Sequence, residues 1–165
     1  MQNNIDELIN NHYAFFKTKR TLDYKYRILY LKKLYKEIKN NIDLINEGLY
    51  KDLGKSPSEA YMCETGLVLS EITYMLKHIK KFFKPRRVRT PLAQYISKSF
   101  ELASPYGVVL VMSPWNYPFL LSLDPIVEAV AAGNVVLLKT SEYSPNTNKV
   151  VKRIIENVFP KEYVS

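Results

Sequence analysis

The sequence predicts an α/β protein in which long helices precede the start of a parallel sheet. Three observations carry that prediction. Over residues 22–53, Ile28, Leu31, Tyr35, Ile38, Ile42, Ile45 and Leu49 follow one another at alternating steps of three and four, a single apolar helical stripe. Two unbroken apolar runs, VVLVM at 108–112 and VVLL at 135–138, read as parallel strands covered on both faces. The segment between them, 119–132 closed by Gly133, has the length of a crossover helix, and such crossovers are right-handed almost without exception.

A short helix is expected first, over 5–19. The second runs over 22–53 as one rod, stopped by Gly54, since glycine accepts the left-handed conformation after a helix. The third opens with Ser56, Pro57 and Glu59: a capping hydroxyl, a proline at the first helical position and the acidic partner of a capping box. It continues to about 84, where Pro85 disfavours helix in the residue before it. Residues 85–91 form a basic connector. Ile96, Phe100 and Leu102 then alternate with Ser97, Ser99 and Glu101, the pattern of an amphipathic strand or hairpin. Ser144 and Pro145 open a last helix reaching 158.

A length of 165 residues allows one or two domains and burial of roughly 70% of the unfolded surface. With 47% hydrophobic and 24% charged residues, the composition is globular and excludes a disordered chain. One cysteine, Cys63, excludes an internal disulfide and suits a reducing compartment. The N-terminus lacks the basic and apolar regions of a signal peptide, and no stretch approaches the roughly 20 apolar residues of a membrane span, so a cytoplasmic location is expected. The net charge of +8 is densest at Lys77, Lys80, Lys81, Lys84, Arg86, Arg87 and Arg89, but no zinc spacing, RNP-like run or helix-turn-helix pattern accompanies it. Nucleic acid is therefore not the expected partner, because charge alone sets non-specific affinity.

Chemistry concentrates in two loops. In an open parallel sheet, ligands bind beyond the carboxyl ends of the strands. After the first run comes SPWNYPF, where Pro114 and Pro118 stiffen the loop around Trp115, Asn116 and Tyr117. A primary amide held there can donate to a developing oxyanion, an interaction worth about 2.7–4 kcal/mol in a transition state. The alternative is that Asn116 satisfies loop backbone groups. After the second run comes LLKTSE, where Lys139 and Glu142 together can bind the vicinal hydroxyls of a ribose. A carboxylate there also disfavours a 2′-phosphate. The alternative is an exposed ion pair of little consequence. No GxGxxG follows the first strand, so the usual dinucleotide fingerprint is missing.

Both loops, in this order and spacing, resemble the N-terminal part of an aldehyde dehydrogenase, most closely the class 3 branch that takes fatty and aromatic aldehydes. The resemblance extends through YRILYLKKL, EAYMCETGLVLSEITYM, SPYGVVLVMSPWNYPF, AVAAGNVVLLKTSE and FPKEY, nearly the whole chain. It implies the N-terminal half of that fold, with a Rossmann-like sheet. It divides the chain into helices of the cofactor-binding domain (1–90), a β arm of oligomerisation type (91–104) and the first βαβα part of the NAD(P)-binding domain (105–165), without the catalytic domain.

The implied activity is oxidation of an aldehyde to a carboxylic acid with NAD or NADP: a cysteine thiolate attacks the aldehyde, hydride passes to the nicotinamide, and water hydrolyses the thioester with a glutamate's help. Asn116 matches the oxyanion-stabilising asparagine. Lys139 and Glu142 match the ribose-binding residues, the Trp115 backbone lines the cofactor cleft, and Tyr117 faces the substrate entrance. Thr140 stands where the family usually has proline, which loosens the loop but keeps both ribose contacts. The class 3 branch forms dimers. Cys63, within a helix and without an activating base, is not the nucleophile and reads as a buried structural residue; His12 and His78 lack metal spacing. The nucleophile and the general base therefore lie outside these 165 residues, and the chain alone is expected to be inactive. It acts as part of a longer enzyme or with a separate C-terminal chain; the alternative is a non-catalytic nucleotide-binding or partner-complementing module.

Overall fold

The computed structural model describes residues 2–165. Helix α1 (Gln2–Lys17) and a single 3₁₀ turn (Arg20–Leu22) lead into α2 (Tyr24–Asn40). The Asp23 side chain starts α2 by accepting the Lys25 amide at 2.8 Å. The single rod expected over 22–53 is two helices, because α2 stops at Asn41 and α3 runs Ile42–Leu53. At the break the Asn41 amide turns to the Ile38 carbonyl at 3.1 Å. The Asn41 side chain then takes over the Glu37 carbonyl at 2.8 Å, the acceptor that a continuing helix would have used. The stripe continues across the break, with Leu31, Ile38, Ile45 and Leu49 fully buried and Ile28, Tyr35 and Ile42 partly so.

Gly54 ends α3 at φ +68, as its position predicts. Ser56 caps the next segment by accepting the Glu59 amide at 3.3 Å. The helix expected over 57–84 is interrupted: α4 (Pro57–Ala60) and α5 (Gly66–Phe82) are joined by one π-helical turn, Tyr61–Thr65. The wider turn brings the Tyr61 carbonyl so close to residue 66 that a Cβ there would lie 2.7 Å from it, so glycine is required.

The basic connector contains a strand. β1 (Arg86–Val88) pairs antiparallel with β2 (Ser99–Glu101), Arg86 opposite Glu101. The strand expected from 96 is confined to β2, and Ile96 lies in the hairpin's turn at 95% exposure. β3 (Val108–Met112) and β4 (Val135–Lys139) pair in parallel, Val108 opposite Val135 and Met112 opposite Lys139. Tyr163 to Ser165 add to the other edge of β4, also in parallel, through Val136 N to Tyr163 O at 2.9 Å and Leu138 N to Ser165 O at 2.7 Å. β4 is thus a central strand, and Val135 and Val136 are fully buried. Coverage of β3 on both faces is not found: Leu110 and Met112, two residues apart and so on one face, are 60% and 70% exposed.

Helices α6 (Pro118–Ala132) and α7 (Pro145–Val158) follow β3 and β4. Their N-terminal amides are satisfied by carboxylates from the helical half. For α7 the donor groups are Asn146 and Thr147 and the acceptor is Asp52 of α3. The core lies between these halves, with Leu34, Ile72 and Ile79 against Leu123, Ile126 and Ile154. Tyr163 stacks with Phe15 at 5.5 Å and meets Tyr30 and Phe159 edge-on, which anchors the edge segment to α1 and α2.

Candidate active site at the carboxyl ends of β3 and β4

The sheet register places the loop after β3 beside the end of β4. Ser113, the first residue past β3, donates its amide to the Lys139 carbonyl at 3.0 Å. The same residue is tied to α6, because the Ser122 hydroxyl shares a 2.8 Å hydrogen bond with the Ser113 hydroxyl while donating to the Pro118 carbonyl at 2.6 Å. The loop 113–117 therefore starts from a fixed point.

Its other end is fixed by a buried ion pair. Glu64, in the π turn, is fully buried and Lys55 is 9% exposed; their Oε1 and Nζ lie 2.5 Å apart. Glu64 Oε2 accepts the amides of Phe119 at 2.9 Å and Leu120 at 3.1 Å, the first turn of α6. Tyr117 precedes that turn at φ +49, ψ 51, a left-handed conformation that a bulky residue adopts only under constraint. The constraint is visible: Lys55 Nζ sits 4.1 Å from the centre of the Tyr117 ring, and the Tyr117 carbonyl accepts the Leu121 amide at 2.9 Å.

Between the two anchors, Trp115 and Asn116 are exposed. The Asn116 side chain makes no hydrogen bond to the described residues, so it does not serve the loop's own backbone. The loop that carries it is held at both ends, at Ser113 and at Tyr117.

Lys139 and Glu142 meet at the end of β4, Nζ to Oε2 3.2 Å apart and both well exposed. The Glu142 carboxyl is held below the usual carboxylate range, first by its own backbone amide and then by Lys139. The loosening expected from Thr140 is offset by other bonds: Asn148 donates to the Ser141 carbonyl at 2.5 Å, and the Ser141 hydroxyl accepts the Tyr143 amide at 3.3 Å. An ammonium and a carboxylate side by side suit a ribose diol, one donating to an oxygen and the other accepting a hydroxyl. The helix starts do not suit a pyrophosphate. The amides that often take one at the first βα turn are occupied in α6 by Glu64, and those of α7 by Asp52.

Cys63 neighbours Glu64 in the π turn and is half-buried, more exposed than a core cysteine. His12 is buried, bonded to the Leu8 carbonyl and to Ser165, and His78 bonds the Tyr74 carbonyl, so neither activates a thiol. Among the described residues no cluster of three metal-ligating side chains occurs. Sequence reasoning missed Lys55 and Glu64. The signal available was a carboxylate on a buried helical face, Glu64 falling midway between Ala60 and Val68.

The model of the aldehyde dehydrogenase family matches residues 1–165. The 4,4'-diaponeurosporen-aldehyde dehydrogenase of Staphylococcus aureus is 42% identical over 162 residues, 98% of this chain and 35% of that protein. Aldehyde dehydrogenase family 3 member F1 of Arabidopsis thaliana is 39% identical over 155 residues, 94% of this chain and 32% of the relative. A solved structure of Staphylococcus aureus AldH in a substrate-bound state superimposes with a TM-score of 0.95 at 42% identity, covering 98% of this chain and 35% of that one. The chain thus spans about a third of the length of the relatives it matches.

Proposed function

The chain belongs to the aldehyde dehydrogenase family, and from that premise we propose that the protein carrying it oxidises an aldehyde to a carboxylic acid with NAD or NADP. The observation that carries this reading is the Asn116 amide, unused by the chain and held between a pinned Ser113 and a pinned Tyr117. A donor fixed before the reaction stabilises developing negative charge without reorganising during it. Asn116 donates an N–H to the oxygen of the aldehyde as it becomes an oxyanion. Lys139 and Glu142 hold the adenosine ribose, and Glu142 biases the choice toward NAD by repelling a 2′-phosphate. The Trp115 backbone lines the cofactor cleft and Tyr117 faces the substrate entrance. The cofactor, when bound, supplies the hydride acceptor.

Residues 1–165 do not by themselves complete the chemistry. On this reading Cys63, half-buried in the π turn, is not the nucleophile, and the nucleophile and the general base are supplied from outside residues 1–165. The working form is a homodimer that uses the β1–β2 arm, whose Leu92, Tyr95 and Ile96 are exposed. A second reading, a nucleotide-binding or partner-complementing module, is favoured by the open apolar face at Leu110 and Met112.

The test is reduction of NAD or NADP by the complete protein in the presence of straight-chain and aromatic aldehydes, with residues 1–165 assayed in parallel. Turnover by the complete protein and none by residues 1–165 is expected. A complete protein that binds the nucleotide but oxidises no aldehyde would favour the second reading.

A further inference from the structure

We propose that the Lys55–Glu64 pair is a positioning device that sets the geometry of the Asn116 loop; the proposal rests on the role assigned to Asn116 above. A buried ion pair is a poor way to stabilise a fold, since apolar residues of similar volume do as well or better. Yet Glu64 stands fully buried on the face of the π turn that continues the apolar row from Ala60 to Val68.

Its two oxygens divide the work. Oε2 accepts two successive amides, Phe119 and Leu120, and so fixes the height and rotation of the first turn of α6. Oε1 binds Lys55, and Lys55 in turn presses its ammonium against the Tyr117 ring. Tyr117 is the residue whose left-handed backbone directs the chain from the loop into α6. Asn116 immediately precedes it, so a change at either charge is transmitted through one peptide unit to the amide. An ordinary cap would need a single acceptor at the start of the helix. Here an acceptor from a different helix also holds the cation that constrains the residue next to Asn116. Displacement of a catalytic donor by about 1 Å is enough to cost large factors in rate.

The experiment uses the complete protein that carries this chain, with Glu64→Gln, Lys55→Met, Asn116→Ala and the double variant Glu64→Gln/Asn116→Ala. Lys51→Ala, which removes the exposed Lys51–Glu47 pair, is the control. Glu64→Gln should lower kcat about tenfold or more, with the KM for the nucleotide changed far less. Added to Asn116→Ala it should lower kcat by less than about twofold, because it acts through that amide. Loop placement is read independently from the ¹⁹F resonance of 5-fluorotryptophan at position 115, assigned by its loss in Trp115→Phe. The resonance should shift or broaden in Glu64→Gln and Lys55→Met and stay in place in Lys51→Ala. An unchanged kcat, losses that multiply in the double variant, or an unmoved resonance would each overturn the proposal. If the wild-type protein oxidises no aldehyde, the functional reading fails, and the resonance still decides whether the pair places the loop.

Discussion

Asp52 Oδ2 accepts the Thr147 amide at 2.7 Å, so a carboxylate at the end of α3 closes the start of α7, 95 residues away. Its Oδ1 takes both the amide and the side chain of Asn146, at 3.1 and 2.8 Å. The helical half and the sheet half are joined by this residue as well as by apolar packing.

Burial alone would push the Asp52 carboxyl up, but the Thr147 and Asn146 bonds outweigh it and hold the group below its ordinary value of 3.8. A carboxyl depressed in the folded state stabilises above its unfolded pKa, and that stability is lost as pH falls below it. Asp52→Ala should therefore destabilise by about 1–2 kcal/mol at neutral pH, with the difference shrinking below about pH 4. Denaturant midpoints at pH 7 and pH 3 check this; an equal deficit at both would remove the ionic part of the argument.

Gly133 closes α6 at φ +94 against the Arg27 guanidinium, where an added Cβ would lie 2.8 Å from Nη2. Arg27 cannot retreat cheaply, being buried and bonded to the carbonyls of Thr21, Leu22 and Ala131. Gly133→Ala should cost about 2 kcal/mol or more, from the left-handed backbone and the contact together. Thermal or urea unfolding measures it, and a neutral substitution would contradict the close approach.

Among the described residues, one buried carboxyl oxygen of Asp124 on α6 has no hydrogen-bond partner. Burial first, then Glu71 and Glu128, push its carboxyl up to about 6. A carboxyl raised in the folded state costs stability as pH rises from its unfolded value of 3.8 through about 6. Asp124→Asn is expected to stabilise by about 1 kcal/mol above pH 7, allowing for solvent screening, and to gain nothing below pH 4. A pH series of unfolding midpoints for both proteins is decisive.

Glu142 and Lys139 are exposed, so Glu142→Gln should leave the unfolding midpoint close to that of wild type. On the ribose assignment it weakens NAD binding and narrows the gap between NAD and NADP. Calorimetric titration of the complete protein with each nucleotide tests both parts, and unchanged affinities would remove the pair from the site.

Local signals with a backbone cause are legible in the sequence. Gly54 and Gly133 stop helices because both take positive φ, and Ser56 caps because its hydroxyl reaches the Glu59 amide. The break at Asn41 is not legible, since the apolar stripe runs through it without a phase shift. The π turn leaves no local pattern either; only Gly66 hints at it. The two loops are visible as prolines, an amide and a charge pair, whereas their anchoring depends on Glu64 meeting amides 55 and 56 residues downstream. Such contacts come from packing, which period and propensity do not encode.

The measurement closest to the central claim is kcat for aldehyde oxidation by the complete protein with Asn116→Ala. A fall of about 10²–10³-fold with nucleotide affinity intact is expected for loss of one oxyanion donor. An unchanged kcat would mean that the free amide at the end of β3 is not where the reaction's charge develops.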